Sequence, residues 1–188
     1  MTRILIGLNV LVYIWQWSTG FPNNPQSFFQ NLDEWGPGIA QGQWWRIFTS
    51  AFMHGSLMHI GFNMLALFQV GSIMEALAGQ KRMLLLYMLA LIGAGLCVYY
   101  FNFEQHTLGA SGAIFGLFGA LVAYGLRLGA RGRSLVWQVV PIIVINLVIG
   151  FANPGISNAA HIGGLITGFV GGLVFTPKSL RKAAPVRE

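Results

Sequence analysis

Four side chains in this sequence have the types needed for hydrolysis of a peptide bond: Ser111, His161, His59 and Asn63. A serine hydroxyl is a weak nucleophile until a neutral imidazole accepts its proton, as His161 would do for Ser111. Attack on a carbonyl then creates an oxyanion, which needs preorganised hydrogen-bond donors. The candidate donors are the backbone N–H of Ser111, the side chain of Asn63 and the imidazole of His59. This chemistry requires elements that bring distant positions together.

Those elements must lie in lipid. Hydrophobic residues make up 55% of the 188 residues, charged residues only 9%, and the mean hydropathy is +0.63. A soluble domain carries about 25% charged residues. A chain of this length has too little interior to hide so much apolar surface from water, so lipid must cover part of it. The net charge of +6 does not indicate nucleic acid, because the basic residues stand between apolar runs rather than along one face.

The apolar runs predict an all-α, polytopic membrane protein with six transmembrane helices in a single domain, 1–188. Crossing a bilayer takes about 20 residues, and suitable runs lie at about 3–19, 48–74, 83–101, 109–127, 135–152 and 157–176, followed by a basic tail at 177–188. The turn signal Asn153-Pro154-Gly155 separates the last two runs. The single cysteine, Cys97, forms no internal disulfide and gives no metal-site spacing. No metal and no cofactor are expected.

Basic residues predict the orientation. With both termini in the cytoplasm, ten of the eleven Lys and Arg residues fall on the cytoplasmic side, and only Arg46 lies near the opposite face. The ten are Arg3, Lys81, Arg82, Arg127, Arg131, Arg133, Lys178, Arg181, Lys182 and Arg187. The first run has no small-residue cleavage site and is expected to be a span, not a signal peptide. The longest outer loop, at about 20–44, is associated with Trp35, Trp44 and Trp45, which are expected at the membrane interface.

Polar residues inside the predicted spans are functional candidates, because they are costly in lipid. His59 and Asn63 are four residues apart on one face of the second helix, and His54 is about a turn and a half nearer its outer end. Ser111 begins the fourth helix and His161 is in the sixth. Each has an ordinary structural explanation when taken alone, since serines, histidines and spaced glycines all serve helix packing. Their shared position in the outer half favours a site.

The five acids exclude other protease classes. Asp33, Glu34, Glu75, Glu104 and Glu188 all fall in loops or at span ends, so the sequence predicts no carboxylate at depth. An aspartyl intramembrane protease needs two aspartates, and this chain has one. No His-Glu-x-x-His string is present, which excludes that metalloprotease type. A buried acid relay for proton-coupled transport is also missing. What remains is a serine nucleophile with a histidine base, without a carboxylate as the third member of the site.

These residues resemble the rhomboid intramembrane serine proteases, in their minimal bacterial six-helix form. The resemblance covers nearly the whole chain. Gly109-x-Ser111-Gly112 with Gly116 resembles the nucleophile motif, and Ala160-His161-x-x-Gly164-x-x-x-Gly168 resembles the motif of the catalytic histidine. Further matches are His54, His59 and Asn63, then Trp45-Arg46, and Gly71-x-x-x-Glu75-x-x-x-Gly79.

The resemblance implies a Ser111–His161 dyad, with an oxyanion hole made by His59, Asn63 and the Ser111 amide. His54 is then a supporting residue, Gly109, Gly112 and Gly164 allow close approach of the backbones, and Glu75 is structural. The implied substrates are single-pass membrane proteins, cleaved near the outer end of their transmembrane helix. The loop at 152–157 is implied to be a lid and the fifth helix a lateral gate. The lipid bilayer of a bacterial inner membrane is the expected location.

Two positions depart from the family pattern. Phe115 stands where some members have tyrosine, although a phenyl ring can still stack on His161. Ala66 stands where some relatives have tryptophan, so packing beside the fifth helix is expected to be looser. The main alternative is a catalytically silent rhomboid-like protein that binds and escorts membrane proteins. A small-solute transporter is a further alternative, but there is no detectable inverted repeat.

Overall fold

A computed structural model describes residues 1–20 and 31–181, and nearly all of this part is helical. Six helices have 17 or more residues: α1 (Thr2–Ser18), α4 (Leu57–Ala78), α5 (Gln80–Phe101), α6 (Ser111–Arg127), α7 (Arg133–Ala152) and α8 (Asn158–Val174). The shorter helices are α2 (Gly36–Ala40), α3 (Arg46–Thr49), α9 (Lys178–Arg181) and 3-10 turns at Ser50–Phe52 and Gly129–Gly132. Within the described ranges, the β-structure is a single bridge between Glu34 and Thr107.

The lengths of these helices confirm a polytopic, all-α membrane protein. Three helices are long and apolar enough to cross a bilayer: Leu57–Ala78, Gln80–Phe101 and Gly129–Ala152, the last of which includes the 3-10 turn before α7. Helices α6 and α8 are apolar but have 17 residues each. The number of crossings and the cytoplasmic position of the termini stay predictions. Lys182 and Arg187 of the basic tail lie outside the described residues.

The second long helix begins later than its apolar run. The run starts at 48, whereas α4 begins at Leu57, because α3 and the 3-10 turn occupy the first part. Ser56 is the N-cap of α4, and its side chain accepts a hydrogen bond from the backbone N–H of His59 at 3.1 Å. The prediction that one helix carries His54, His59 and Asn63 is therefore wrong for His54, which lies in the segment before the cap.

Helix α6 is the centre of the bundle, since nearly all of its residues are buried and it packs between α5 and α8. Glycines permit this closeness. A Cβ added at Gly164 would collide with the carbonyl oxygen of Gly112, and one at Gly168 would collide with that of Gly116. The backbones of α6 and α8 are therefore in direct contact, as in small-residue packing between transmembrane helices.

Helix α7 packs against the rest of the bundle far less closely than α6 and α8 pack against each other. It packs mainly on α6 through Val139 and Ile143, and only a few of its residues contact α8. Most of its other apolar side chains are exposed, including Trp137, Val148 and Phe151. In a bilayer this surface would face lipid or a neighbouring transmembrane segment.

The N-terminal helix is joined to the far end of α4. The carboxylate of Glu75 accepts hydrogen bonds from the backbone N–H of Thr2 and from its hydroxyl, the latter at 3.0 Å. Gly71 leaves room for this contact, because a Cβ there would be 2.7 Å from the Thr2 hydroxyl oxygen. Glu75 lies at the opposite end of α4 from His59, and the proposed structural role for this residue rests on these bonds.

Candidate active site

Ser111 is the first residue of α6, where the free N–H groups of a helix terminus favour negative charge. The chain reaches it through Gly109, whose φ of +119° favours glycine. The N–H of Gly109 donates to the carbonyl of Ser50 at 2.9 Å, which ties this turn to the segment before α4. The hydroxyl of Ser111 therefore follows directly after a turn that is bonded to the segment before α4.

His161 faces this hydroxyl from α8. Its Nε2 lies 3.0 Å from Oγ of Ser111, which is hydrogen-bond distance. The ring is buried, and within the described part of the chain its Nδ1 has no hydrogen-bond partner. Ser157 caps α8, accepting a bond from the N–H of Ala160 at 3.3 Å. The pair is thus a serine and an imidazole without an acid on the far nitrogen.

Phe115 packs against the imidazole. The ring centroids of Phe115 and His161 are 4.0 Å apart and their planes differ by 3°, so the two rings are stacked face to face. Phe115 is one turn after Ser111 on the same face of α6, and it is itself buried. The stack restricts rotation of the imidazole and holds Nε2 towards the serine.

His59 and Asn63 reach the same place from α4. A Cβ added at Gly109 would be 2.7 Å from Nε2 of His59 and 3.8 Å from Nδ2 of Asn63, so both side chains lie against the turn before Ser111. The amide of Asn63 donates to the carbonyl of His59 at 3.1 Å. The N–H of Gly55 donates to Nδ1 of His59 at the long distance of 3.5 Å. The structure therefore brings four of the predicted site residues together.

His54 lies behind His59 rather than on the cavity wall. It is fully buried, and the two imidazole rings meet edge to face with centroids 5.0 Å apart. Gln16 of α1 holds its backbone with two bonds: Nε2 of Gln16 donates to the carbonyl of His54 at 3.0 Å, and the N–H of His54 donates to Oε1 of Gln16 at 3.1 Å. Gln16 was not predicted to contact the site, although a polar residue in an apolar run is a usable signal.

A cavity of about 1110 Å³ opens onto Ser111 and His161. Its walls come from α4, α5, α6, α7 and the start of α8, from the segment at 153–157, and from the loops that carry Glu34, Ser50 and Thr107. Ala66 and Phe62 of α4 face Ile142 and Ile149 of α7 across it. The small side chain of Ala66 is therefore part of the cavity lining on the α4 side. Across the described ranges, no group of three His, Cys, Asp or Glu side chains is positioned to hold a metal ion.

The position of Glu34 differs from the expectation that every carboxylate lies away from the interior of the bundle. This residue of the loop before α2 is 5% exposed and forms part of the cavity wall. Burial raises the pKa of Glu34 to about 8. It is not bonded to His161, whose Nδ1 has no partner among the described residues, so the serine and histidine still form a pair rather than a triad.

The loop that carries Glu34 is joined to the loop before Ser111. Arg46 is buried and donates from Nη1 to Oδ1 of Asp33 at 2.9 Å, while Nδ1 of His106 lies 2.5 Å from Oδ2 of the same carboxylate. The ring of His106 stacks on Trp35 with centroids 5.4 Å apart. Trp44 and Trp45 are half exposed, whereas Trp35 is engaged in this cluster. Asp33 and His106 were not anticipated as partners, because 73 residues separate them.

The chain is similar in sequence to known proteins of one family. The family model of the Rhomboid domain matches residues 41–178. The chain is 37% identical over 169 residues to Rhomboid protease GluP of Bacillus subtilis (strain 168), covering 89% of the chain and 33% of GluP. It is 30% identical over 215 residues to Rhomboid protease AarA of Providencia stuartii, covering 97% of the chain and 75% of AarA. Putative rhomboid protease YdcA of Bacillus subtilis (strain 168) is 31% identical over 147 residues, 77% of the chain and 74% of YdcA.

The chain is a multi-pass membrane protein of the rhomboid family. It spans about a third of the length of GluP. The resemblance drawn from the motifs is therefore confirmed at the level of the family.

Proposed function

We propose that the chain is an intramembrane serine endopeptidase that cleaves transmembrane segments of other membrane proteins near the outer membrane face. One observation carries the proposal: the 3.0 Å approach of Nε2 of His161 to Oγ of Ser111, at the wall of a cavity inside the bundle. Membership of the rhomboid family and the protease names of GluP and AarA support it.

The reaction uses the pair in two steps. His161 accepts the proton of Ser111 as Oγ attacks the peptide carbonyl, and it returns that proton to the leaving amine when the C–N bond breaks. Water then attacks the resulting ester, giving its proton to His161, and the acid product leaves as Ser111 regains a proton. For Nε2 to act as the acceptor, the neutral ring must carry its proton on Nδ1.

The oxyanion of each step is assigned to donors around the start of α6. The N–H of Ser111 lies at a helix terminus, and the side chains of His59 and Asn63 lie against Gly109. Donors that are already oriented towards the position of the oxyanion stabilise developing charge strongly. His54 supports His59 through their ring contact.

Substrates would enter between α4 and α7. We assign α7 as the lateral gate, because it packs loosely and lines the cavity with Ile142 and Ile149. The segment at 153–157 also lines the cavity and is assigned as the lid. Single-pass proteins fit best, since one helix must unwind before its peptide bond reaches Ser111. A bacterial inner membrane with both termini in the cytoplasm is the proposed setting.

A fluorophosphonate probe tests the proposal on the detergent-solubilised chain. We expect the native chain to be labelled and to cleave a model transmembrane substrate. Ser111→Ala should abolish labelling, and His161→Ala should lower turnover by about 1000-fold or more. Ser50→Ala is the matched control, because Ser50 also lines the cavity but contacts the turn at Gly109 through its backbone carbonyl.

Two results would contradict the proposal. Labelling that persists in Ser111→Ala would place the nucleophile elsewhere. A native chain that is neither labelled nor able to cleave any model substrate, while it retains a transmembrane protein in pull-down, would identify a silent escort protein instead.

A further inference from the structure

Gln16 is a buried amide of α1 that the reaction described above does not use. Its side chain is 0% exposed. Both ends of the amide are bonded to one residue of another segment: Oε1 accepts from the N–H of His54 at 3.1 Å, and Nε2 donates to the carbonyl of His54 at 3.0 Å. Both distances are typical of hydrogen bonds. The two bonds fix the backbone of His54 against α1, since breaking them would leave buried polar groups unpaired.

The segment that carries His54 has no helical hydrogen bonds of its own to position it. It lies between the 3-10 turn at Ser50–Phe52 and the start of α4 at Leu57, and both Met53 and Ser56 have extended backbone conformations. The N–H and C=O groups of an extended segment must find partners on other elements when they are buried. For His54 that partner is Gln16, so the place of this segment depends on α1.

The carbonyl that Gln16 binds belongs to the peptide unit between His54 and Gly55. A peptide unit is planar, so fixing its carbonyl also fixes the direction of the N–H of Gly55. That N–H donates to Nδ1 of His59 at 3.5 Å. An imidazole nitrogen that accepts a hydrogen bond carries no proton, so the proton of a neutral His59 is on Nε2. The bonds of Gln16 therefore favour the form of His59 that can donate from Nε2.

Nε2 of His59 faces the turn before Ser111. A Cβ added at Gly109 would be 2.7 Å from this nitrogen. The ring of His59 is also in contact with the ring of His54, with centroids 5.0 Å apart. Because His54 is 0% exposed, its ring cannot move without displacing close-packed neighbours. The residue that Gln16 holds thus contacts His59 through its ring as well as through its peptide unit.

We propose that Gln16 is a positioning residue of the oxyanion hole. It orients the His54–Gly55 peptide, and that peptide holds His59 with its Nε2–H directed towards the oxyanion formed at Ser111. Helix α1 contributes none of the described residues that line the cavity, yet the reaction depends on it through this one side chain. The inference rests on the proposed protease function and on His59 as a donor to the oxyanion.

The first test compares the native full chain with Gln16→Met, which has nearly the same size and lacks both bonds. Turnover of a model transmembrane substrate is measured per Ser111 labelled by the fluorophosphonate probe at completion, so that unfolded chains are not counted. We expect kcat to fall by about tenfold or more with KM nearly unchanged, because a donor to the oxyanion acts in the transition state. A native kcat, or a loss confined to KM, would overturn the inference.

The second test places the same change in His59→Ala. If Gln16 acts through His59, Gln16→Met should lower kcat by less than about twofold in this background, because the group that it positions is already absent. A purely structural role of Gln16 predicts the same loss in both backgrounds, and that result would overturn the inference. If Gln16→Met does not fold, Gln16→Asn replaces it in both tests, since its shorter side chain cannot keep both bonds.

Asn9→Leu is the matched control. Asn9 is also an amide of α1 that is 0% exposed, but its Nδ2 donates to the carbonyl of Leu5 within the same helix at 2.8 Å. Asn9→Leu should therefore keep the native kcat per labelled Ser111, even if its Tm changes. An equal loss of kcat in Asn9→Leu and Gln16→Met would assign the effect to the packing of α1 and overturn the inference.

These outcomes leave the protease function intact. Failure of the native chain to cleave any substrate would instead overturn the proposed function and this inference together.

Discussion

The contact between α6 and α8 and the contact between α6 and α7 differ in how much freedom they leave. Glycines bring the backbones of α6 and α8 into direct contact, at Gly112 with Gly164 and at Gly116 with Gly168. In α7 most apolar side chains are exposed, and Pro141 removes one backbone hydrogen bond from the helix. Small residues at one interface and an unpaired surface at the other divide the bundle into a rigid part and a loose part.

This difference separates two requirements of the proposed reaction. The distance between Ser111 and His161 must be held within a fraction of an ångström, because proton transfer depends on it. A substrate helix must nevertheless enter the cavity from the membrane. The reacting pair lies on the two helices that are packed most closely, and the cavity opens beside α7, most of whose apolar side chains are exposed.

The largest effect is expected from Gly164→Val. Its side chain would collide with the carbonyl oxygen of Gly112, so α6 and α8 could not dock and His161 would be displaced from Ser111. We expect loss of fluorophosphonate labelling and a lower Tm in detergent. Gly61→Val on α4 is the matched control, since a Cβ at Gly61 has open space around it. Full labelling of Gly164→Val would show that the glycine contact does not hold the pair.

A second comparison concerns stability. Leu117 of α6 is 0% exposed, whereas Ile149 of α7 is 50% exposed. Leu117→Ala should lower the free energy of unfolding by roughly 2–5 kcal/mol, because it leaves a cavity in the core. Ile149→Ala should leave the Tm nearly unchanged while cleavage of a transmembrane substrate becomes faster through easier entry. Equal losses of stability in thermal unfolding would remove the distinction between the two regions.

The smallest effect is expected within the rigid part. Phe115→Leu removes the ring stacked on His161 at 4.0 Å. Aromatic pairs contribute about 0.5–1.5 kcal/mol beyond burial, so we expect kcat to fall roughly two- to tenfold with little change in KM. Phe115→Tyr keeps the stack and should retain native kcat. If Phe115→Leu matches the native rate, other contacts are sufficient to orient the imidazole.

Helices were predictable from the sequence where an apolar run ended at strong local signals. The turn at Asn153-Pro154-Gly155 separates α7 from α8 as predicted, and α6 begins at Ser111 directly after Gly109 and Ala110. The start of α4 was not predicted from the apolar run, because the segment at 48–56 contains Phe48, Phe52 and Met53 and yet forms the end of α3, a 3-10 turn and an extended connection. The capping bond of Ser56 decides where α4 begins.

The environment of Glu34 could not be predicted from the sequence. A carboxylate in a loop is expected to face water, and Glu34 is buried because its strand-like segment pairs with Thr107, which is distant in the chain. The same holds for Asp33 with Arg46 and His106. Such pairings depend on which loops the helices bring together, and no local pattern in the sequence encodes that.

The sequence by itself determined that the helices need a lipid environment and which side chains could react. Its apolar runs require lipid, and its few acids leave Ser111 and His161 as the candidates for nucleophile and base. Only the tertiary structure decided that Oγ of Ser111 and Nε2 of His161 lie 3.0 Å apart and that Glu34 lines the same cavity. The reason is physical: composition is a property of single residues, whereas a distance depends on which helix faces pack together. Here that packing is set by glycine contacts between α6 and α8, which are distant in the chain.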